Sequence, residues 1–360
     1  MSQSAVSRTF TPGASVAPAM REKVLEAARV LGYRPNLIAR SLITRRSRIV
    51  GVAVGYLRNQ FYSEVLEVLS ERLQARGYHL LLFIAPQRGD ADPQLEEVLH
   101  YQVDALVLLS ATLSSRLAAE CCANGVPVVL FNRTTRGAGI ESVTGDNLAG
   151  GRRVAEFLVA GGHEHFAFVA GLADSSTGRD RERGFREGLA AHGVTRIERV
   201  EGDYDFEQAG RAADALFARP QRPDAVFCAN DHMAFAVMDA ARRRHGLRVP
   251  EDVSIIGFDD VGPAHWAGYD LTTYSQPVGP MVEAAVALLE ARLADSAAPA
   301  QHVVVPGELV VRGSARVPRD IVACEGRRVW RGDAAPAGSP SGRNAAQSDL
   351  EAFSPENGGR

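Results

Sequence analysis

The sequence has few cysteines and no long hydrophobic run. Its 360 residues include four cysteines, Cys121, Cys122, Cys228 and Cys324, with no C-x-x-C pair, so neither a zinc site nor a disulfide framework is predicted. No apolar run reaches the ~18 residues of a membrane-spanning helix, and the start of the chain lacks the apolar stretch of a signal peptide. We therefore expect a cytoplasmic protein with reduced thiols and no membrane partner.

Motifs that build common enzyme active sites are also missing. The sequence has no G-x-S-x-G elbow, no G-x-x-x-x-G-K-[ST] loop, no H-E-x-x-H motif and no G-x-G-x-x-G opening a helix after the first strand. His163 and His165 fall on the same side of a strand start without a third ligand, so we expect no metal and no cofactor. An α/β architecture alone does not indicate an enzyme, and we predict that this protein is not one.

Charge is unevenly distributed along the chain. Residues 1–48 contain nine basic and two acidic side chains, a net charge of +7, whereas residues 49–360 carry a net charge of −10. Cations that displace counterions from phosphates drive nucleic-acid binding, so a basic head on an acidic body indicates a head that binds a polyanion. A solvated basic arm is the alternative interpretation.

The basic head is predicted to be helical. Residues 2–10 form the first predicted helix, and a second follows at about 18–31, where apolar residues recur at three-to-four spacing. On the first helix, Gln3, Ser4 and Arg8 project from one face, and such side chains can read base edges or hold phosphates. We assign residues 1–34 to the head and 35–48 to a basic linker that can become helical.

After the linker, short apolar strands alternate with helices of ten to fifteen residues, and this alternation occurs twice. It predicts an α/β core of two doubly wound parallel-sheet lobes, preceded by a small all-α head. The core covers 49–316, with a first lobe at about 49–160 plus 277–316 and a second lobe at about 161–276.

We make separate predictions for the C-terminal tail and for one helix of the core. Residues 317–360 are rich in Gly, Pro, Ala and Ser and have too little apolar content to offset the entropy of ordering, so we predict a disordered tail. The predicted helix near Asp231–His245 carries Met233, Phe235 and Met238, an apolar surplus that favours either a dimer interface or ordinary core packing.

Ordered motifs along the chain resemble those of the lactose-repressor-type (LacI/GalR) transcriptional regulators. They run in the family's order from residue 2 to about residue 316. The matching segments are SQSAVSRTF at 2–10, VLEAARVLGYRPN at 24–36, ARSL at 39–42, IVGVAV at 49–54, RERGF at 181–185, GDY at 202–204, AND at 229–231, VSIIGFDD at 253–260 and LTT at 271–273.

The resemblance implies a repressor that binds operator DNA as a homodimer. Recognition-helix contacts map onto Gln3, Ser4, Ser7 and Arg8, and Asn36 to Leu42 match a hinge helix that folds on the operator. Ala39 would then lie near the minor groove. Leu42 would be an apolar wedge between base steps, which bends the duplex, or it could be ordinary packing in a linker.

The resemblance also implies a periplasmic-binding-protein-like core whose two lobes close on a small effector of sugar or nucleoside type. Ligands collect beyond the carboxyl ends of parallel strands. The side chains expected there, with Arg181 on the first turn of a helix predicted at 179–192, are Phe61, Asp146, Arg181, Tyr204, Asn230 and Asp259.

These residues also have simpler structural interpretations. Asn230 could cap the helix that follows it, and Asp259 could satisfy loop amides. Arg181 could pair with Glu182 or Glu187 on the helix surface. Phe61 and Tyr204 could be core aromatics.

One departure from the family concerns the head. Family members have a further helix before the recognition helix, which braces it across the DNA backbone. Here Met1 stands where the turn between these helices would lie. We expect a true start codon upstream, because Arg8, Pro35 and Leu42 all remain in place. The alternative is a sensor protein with impaired or no DNA binding, since so small a helical pair rarely folds by itself.

Overall fold

The structure is a computed structural model. It describes residues 2–10, 13–33, 46–85, 92–110, 117, 120–121, 123–135, 140–318, 322–324 and 327–330.

Two helices form the N-terminal head. Helix α1 (Gln3–Thr9) begins at Ser2, whose Oγ accepts a hydrogen bond from the amide of Ala5. Helix α2 (Pro18–Leu31) begins with proline at its first position and ends at Gly32, whose φ of 63° lies in the left-handed region that glycine adopts without strain. Both boundaries agree with the sequence pattern.

Side-chain contacts join the two head helices. The guanidinium of Arg21 donates to the carbonyl oxygens of Thr9 and Ala14, both at 3.3 Å. The rings of Phe10 and Tyr33 lie 5.7 Å apart. The head therefore has a few fixed contacts but only a small buried interior.

The first lobe is a six-stranded parallel sheet. Its elements are β1 (Ile49–Val54), α3 (Gln60–Ala75), β2 (His79–Ile84), α4 (Asp92–His100), β3 (Ala105–Leu109), β4 (Val128–Phe131), β5 (Glu141–Gly145), α9 (Val278–Ala294) and β11 (His302–Val305). The strand order is β11-β5-β4-β3-β1-β2. Strands β1, β3, β4 and β5 are almost completely buried, because helices cover both faces of a parallel sheet.

The second lobe is an eight-stranded sheet. Its elements are α5 (Asn147–Ala160), β6 (Phe166–Ala170), α6 (Ser176–Ala191), β7 (Ile197–Glu201), α7 (Phe206–Phe217), β8 (Ala225–Cys228), α8 (Asp231–Asp239), β9 (Ser254–Asp259), β10 (Thr272–Ser275), β12 (Leu309–Val310), β13 (Val322–Cys324) and β14 (Arg327–Trp330). The strand order is β13-β14-β12-β10-β9-β8-β6-β7. Strands β10, β9, β8, β6 and β7 are parallel, whereas β12, β14 and β13 each pair antiparallel with their neighbours. The predicted fold class is confirmed.

The chain crosses between the lobes three times within the described residues, after β5, after β10 and after β11. The crossings lie side by side: the amide of Asp146 donates to Val305 O at 3.0 Å, and that of Ser275 donates to Glu308 O at 2.8 Å. These three adjacent segments form the hinge of the molecule.

The lobe boundaries differ from those predicted. Helix α5 packs on α6 of the second lobe, and β12 pairs with β10 in the second sheet, so residues 147–160 and 309–310 do not belong to the first lobe. The crossings at the hinge are too short to carry a turn signal of their own. Sequence periodicity detects an element but not the sheet that it joins.

The expected disorder of residues 317–360 is wrong for two short segments. Strands β13 and β14 extend the second sheet beyond β12. The Trp330 side chain is buried and its ring lies 5.5 Å from that of Phe157. The other tail residues beyond 318 lie outside the described residues. The average composition of the long tail does not reveal the short strand β14, which contains Trp330.

The proposed dimer interface on the helix near Asp231–His245 is also wrong. Met233, Phe235 and Met238 are buried within a single copy of the chain, and the ring of Phe235 lies 4.4 Å from that of Tyr269. Helix α8 lies between β9 and α7 and is therefore apolar over most of its surface.

Candidate ligand-binding cleft

A narrow cavity of about 20 Å³ lies between the two lobes. The first lobe contributes Tyr56, Asn59, Tyr62, Ser110, Asn132 and Arg133. The second lobe contributes Thr177, Arg181, Tyr204, Asn230 and Asp259. In this arrangement of the lobes the cavity has room for about one water molecule, so a larger ligand requires the lobes to separate.

Arg181 is a buried cation in the wall of the second lobe. Its Nε donates to Asn147 Oδ1 at 2.8 Å, and its Nη1 donates to the carbonyl oxygen of Ala229 at 2.5 Å. Nη1 also lies 3.4 Å from Asp259 Oδ1, and the guanidinium stacks 3.8 Å from the ring centre of Phe258. The surface pairing with Glu182 or Glu187 is therefore wrong.

The position of Arg181 along its helix also differs from the prediction. Helix α6 begins at Ser176, because Ser175 Oγ accepts a hydrogen bond from the amide of Gly178. The predicted start at 179 was too late, and Arg181 lies on the second turn instead of the first. A run of Ser, Thr and Gly resembles a loop in the sequence, although its first serine is a helix cap.

Glycines let helices α5 and α6 approach closely beside Arg181. A Cβ atom at Gly184 would overlap the carbonyl oxygen of Leu148, and a Cβ atom at Gly151 would overlap that of Arg181. This backbone contact brings Asn147, the first residue of α5, within hydrogen-bond distance of the guanidinium. The glycines therefore help to place the site.

Asp259 ends β9 and points into the cleft beside Arg181. Its Oδ1 accepts a hydrogen bond from Gln276 Nε2 at 2.7 Å, and the side chain of Asn59 of the first lobe lies nearby. Burial raises the pKa of Asp259 to about 6, although Arg181 acts in the opposite direction. Because Gln276 lies in the hinge, the site carboxylate contacts the segment that links the lobes.

Asn230 caps a helix and also faces the cavity. Its Oδ1 caps helix α8 by accepting a hydrogen bond from the amide of Met233 at 3.0 Å. Its side chain lines the cavity, and its buried Nδ2 lacks a hydrogen-bond partner among the described residues. The cap is confirmed, and the ligand contact stays a prediction.

Asp231, the next residue, is completely buried behind the cleft. Its Oδ1 accepts a hydrogen bond from Thr273 Oγ1 at 2.6 Å, and its Oδ2 accepts one from the amide of Val261 at 3.0 Å. Burial raises the pKa of Asp231 to about 8, and the nearby charge of Asp259 raises it further. These bonds hold the loop that follows Asp259.

Tyr204 lies in the loop after β7, and its hydroxyl is 3.1 Å from Ser175 Oγ. Its φ is 59°, and Ser110, Asn132 and Asp259 also have positive φ, at 60°, 57° and 132°. All four residues line the cavity. Strained backbone of this kind tends to cluster at ligand sites.

Two predicted ligand residues do not line the cavity. Phe61 is buried in the core of the first lobe, where its ring lies 5.3 Å from that of Tyr62 and 6.4 Å from that of Phe131. Asp146 caps helix α5 by accepting a hydrogen bond from the amide of Ala149. Phe61 is one position away from Tyr62, the aromatic residue that does face the cleft.

Most of the first-lobe wall was not predicted from the sequence. Ser110 directly follows β3, and Asn132 and Arg133 directly follow β4, at the carboxyl ends of parallel strands. The same rule that identified Asn230 and Asp259 could have found them. Tyr56 and Asn59 lie in the loop after β1 and could have been found in the same way, whereas Thr177 of the second lobe lies within α6, where this rule does not apply.

Direct contacts cross the cleft between the lobes. The amide of Thr134 donates to Ser176 Oγ at 2.9 Å, and the amide of Gly262 donates to Glu64 Oε1 at 2.7 Å. Tyr56 Oη lies 3.1 Å from His232 Nε2. Burial lowers the pKa of His232, so that this histidine is neutral near pH 7.

In the head, three of the predicted DNA-contacting residues are exposed on α1. They are Ser4, Ser7 and Arg8. The side chain of Gln3 lies outside the described part of the structure, as do Asn36, Ala39 and Leu42. Their roles stay predictions.

The described residues contain no cluster of three side chains suited to a metal ion. His163 instead lies beside Asp224, with Nδ1 at 3.4 Å from Oδ2. None of the described helices is long and apolar enough to cross a membrane.

Known proteins resemble this chain over most of its length. The periplasmic binding protein-like domain family matches residues 155–315. Catabolite control protein A of Priestia megaterium is 31% identical over 293 residues, which are 80% of this chain and 88% of that protein.

Two solved structures extend the comparison. The transcriptional regulator CelR in complex with cellobiose is 30% identical, with a TM-score of 0.68 over 86% of this chain and 94% of that one. The lac repressor dimer bound to operator and the anti-inducer ONPF is 26% identical, with a TM-score of 0.77 over the same shares.

Proposed function

This chain belongs to the LacI/GalR family of transcriptional regulators, and from that premise we propose that it is a repressor controlled by a small hydroxylated effector. The effector, of sugar or nucleoside type, binds in the cleft and sets the affinity of the protein for operator DNA. The relatives that have been compared are repressors and regulators, which supports a role other than catalysis.

The proposed effector site is supported by a set of buried polar atoms in the cleft that lack hydrogen-bond partners among the described residues. Arg181 Nη2, Asn230 Nδ2 and Asn132 Oδ1 are buried, and none has a hydrogen-bond partner among the described residues. A buried polar group without a partner costs about 1–3 kcal/mol. Two donors and one acceptor that converge on one cavity fit the hydroxyl groups of a ligand.

DNA binding is assigned to the head. Helix α1 exposes Ser4, Ser7 and Arg8, and residues 1–48 have a net charge of +7 although the whole chain has a net charge of −3. We assign base and phosphate contacts to these residues and to Gln3, and hinge contacts to Asn36, Ala39 and Leu42.

The hinge couples the two functions. Gln276 lies in one crossing and donates to Asp259 in the cleft, so that a ligand contacting Asp259 acts on the segment that sets the lobe arrangement. The effector changes the population of lobe arrangements only if it binds one arrangement more tightly than another. The spacing of the first lobes in the dimer then determines whether the paired linkers can fold on DNA.

A second copy of this chain is the proposed partner. Strand β2 forms an edge of the first sheet and exposes Leu82 and Ile84, and Tyr101 is exposed at the end of α4. Exposed apolar side chains on an edge strand favour association. Analytical ultracentrifugation should give a dimer, and Ile84→Asp should shift the population toward monomer.

Gel retardation tests DNA binding. The probe is a duplex that the protein enriches from a randomised pool. We expect a retarded complex that weakens with salt and at least tenfold weaker binding for Arg8→Ala, because one phosphate or base contact is lost. Arg183→Ala, which removes an exposed arginine in the second lobe, is the matched control and should bind normally. Failure to enrich any duplex at low salt would contradict DNA binding.

A ligand-binding protein without DNA activity is the second candidate. It is favoured by the exposed apolar side chains Leu25, Val30 and Leu31 on α2, at 46%, 70% and 79% exposure. A helical pair that buries so little has a small driving force for folding. Under this candidate, effectors stabilise the core but the enriched duplex is never obtained.

A further inference from the structure

Arg133 is a buried cation whose hydrogen bonds all go to uncharged groups. Its side chain follows β4, and the residue is 6% exposed. Nη1 donates to the carbonyl oxygen of Asn132 and to Thr177 Oγ1, both at 2.8 Å, and Nη2 donates to Ser110 Oγ at 2.8 Å. The guanidinium lies 6.0 Å from the ring centre of Tyr204.

Other largely buried arginines have a carboxylate partner. Arg181 lies 3.4 Å from Asp259, Arg312 lies 2.6 Å from Asp260, and Arg292 lies 2.9 Å from Glu141. Among the residues that the structure describes, no carboxylate lies within ion-pair distance of Arg133. A buried charge without an opposite charge is strongly unfavourable, so a site that contains one is suited to a ligand that supplies the missing charge.

We infer that the effector carries one anionic group, a carboxylate or a phosphate, and that Arg133 binds it. This inference rests on the proposed effector site and narrows its ligand class. The cavity is lined by two arginines, Arg133 and Arg181, against the single carboxylate of Asp259, so its lining is one positive charge in excess.

The surroundings of Arg133 suit an anion. A planar guanidinium can donate two parallel hydrogen bonds to a carboxylate or a phosphate. The hydroxyl groups of Ser110 and Thr177 lie beside it, and each can rotate its proton toward an oxyanion. The hydroxylated part of the ligand then faces Asp259, Asn230 and the free Nη2 of Arg181.

The position of this group also gives the anion a role in lobe closure. Ser110 and Arg133 belong to the first lobe, and Thr177 is on α6 of the second lobe. An anion held by all three would join the lobes, whereas a neutral ligand would leave the cation uncompensated. Arg133 is therefore inferred to determine which ligands stabilise the closed arrangement.

Matched neutral and acidic ligands test the inference. Thermal-shift and calorimetric titrations on the full chain compare galactose with galacturonate, glucose with glucuronate and glucose 6-phosphate, adenosine with adenosine monophosphate, and inorganic phosphate alone. We expect at least one acidic member to bind at least tenfold more tightly than its neutral counterpart. Uronates and phosphates distinguish the two sources of negative charge.

Two variants separate ligand recognition from folding. Arg133→Gln should abolish the preference for the acid, measured as the ratio of the acid and neutral affinities, because it removes the charge and keeps a hydrogen-bonding amide. Arg183→Ala, an exposed change on α6, should behave as wild type. A merely structural role of Arg133 would lower the melting temperature and leave the acid-to-neutral ratio unchanged.

Different results would overturn the anion inference and the proposed effector site. If neutral sugars or nucleosides stabilise the protein and their acids do not, the anion inference is overturned and the effector site stands. If the acid preference persists in Arg133→Gln, the assignment to Arg133 is overturned. If none of these compounds changes the melting temperature, the result counts against both proposals.

Discussion

Each wall of the cleft contains a buried arginine, but only one of the two arginines has a carboxylate partner. Arg181 in the second lobe is surrounded by Asn147, the carbonyl of Ala229 and the carboxylate of Asp259. Among the described residues, the hydrogen-bond partners of Arg133 in the first lobe are all uncharged. The buried cation of the second wall therefore has a carboxylate partner without a ligand, whereas that of the first wall does not.

The two walls differ in local structure but not in backbone strain. The second wall is set by α6, by the ends of β8 and β9 and by close helix packing. The first wall includes Ser110 and Asn132, single residues with positive φ directly after their strands, and Tyr204 and Asp259 of the second wall also have positive φ. Strained backbone therefore occurs on both sides of the cleft, as is common at ligand sites.

The largest expected effect is that of Arg181→Ala. We expect the free energy of unfolding to fall by about 3–5 kcal/mol, because Asp259 is left as a buried carboxylate without its cation. Urea denaturation followed by circular dichroism measures the change. Arg183→Ala on the same helix should change it by no more than about 0.5 kcal/mol. Equal losses of unfolding free energy in Arg133→Ala and Arg181→Ala would contradict the difference between the two walls.

Gly184→Ala tests whether close helix packing builds the second wall. The new methyl group meets the backbone of Leu148, which cannot move aside like a flexible side chain, and we expect a loss of about 1–3 kcal/mol. Gly279→Ala at the start of α9 is the control, since nothing lies within 4 Å of its Cβ position. It should be neutral or stabilising by up to about 1 kcal/mol. Equal melting temperatures for the two variants would contradict the packing argument.

Asp231→Asn tests the buried carboxyl pair behind the second wall. Burial raises the pKa of Asp231 to about 8, well above that of an unfolded aspartate, so the folded protein holds a proton that the unfolded chain has released. The stability from this group is complete below pH 4 and decreases by about 1.4 kcal/mol per pH unit as the pH rises toward 8.

The measurement is the slope of unfolding free energy against pH between pH 5 and pH 7. Asp231→Asn should flatten this slope, whatever its effect at one pH. Asp252→Asn is the control: its pKa is lowered to about 2 by Arg248, so its contribution is lost only in acid. An unchanged slope in Asp231→Asn would show that the buried carboxyl is not the source.

The smallest expected effect is that of Tyr56→Phe in the first wall. The variant removes one hydroxyl contact with His232 across the cleft and should lower stability or closure by about 0.5–1.5 kcal/mol. Tyr33→Phe, which changes an exposed tyrosine of the head, should change neither. A loss comparable to that of Arg181→Ala would mean that the first wall contributes as much to folding as the second.

Much of the second wall could be predicted from the sequence, because its polar residues follow long apolar strands or lie in ordered motifs. Arg181, Asn230 and Asp259 line the cavity. Phe61 and Asp146 do not, since their side chains are used in the core and in a helix cap. Arg133 matches none of the family motifs, but it directly follows β4 at the carboxyl end of a parallel strand, so the rule that identified Asn230 and Asp259 could also have identified it.

The sequence by itself determined the alternation of strands and helices, the basic head and the family, because these depend on short-range periodicity and ordered motifs. Only the tertiary structure decided which lobe α5 and β12 join and which aromatic residue faces the cleft. It also decided which arginine lacks a carboxylate. These properties depend on contacts between residues far apart in the chain, such as Arg133 with Thr177 and Asp259 with Gln276, and no local pattern encodes such a pairing.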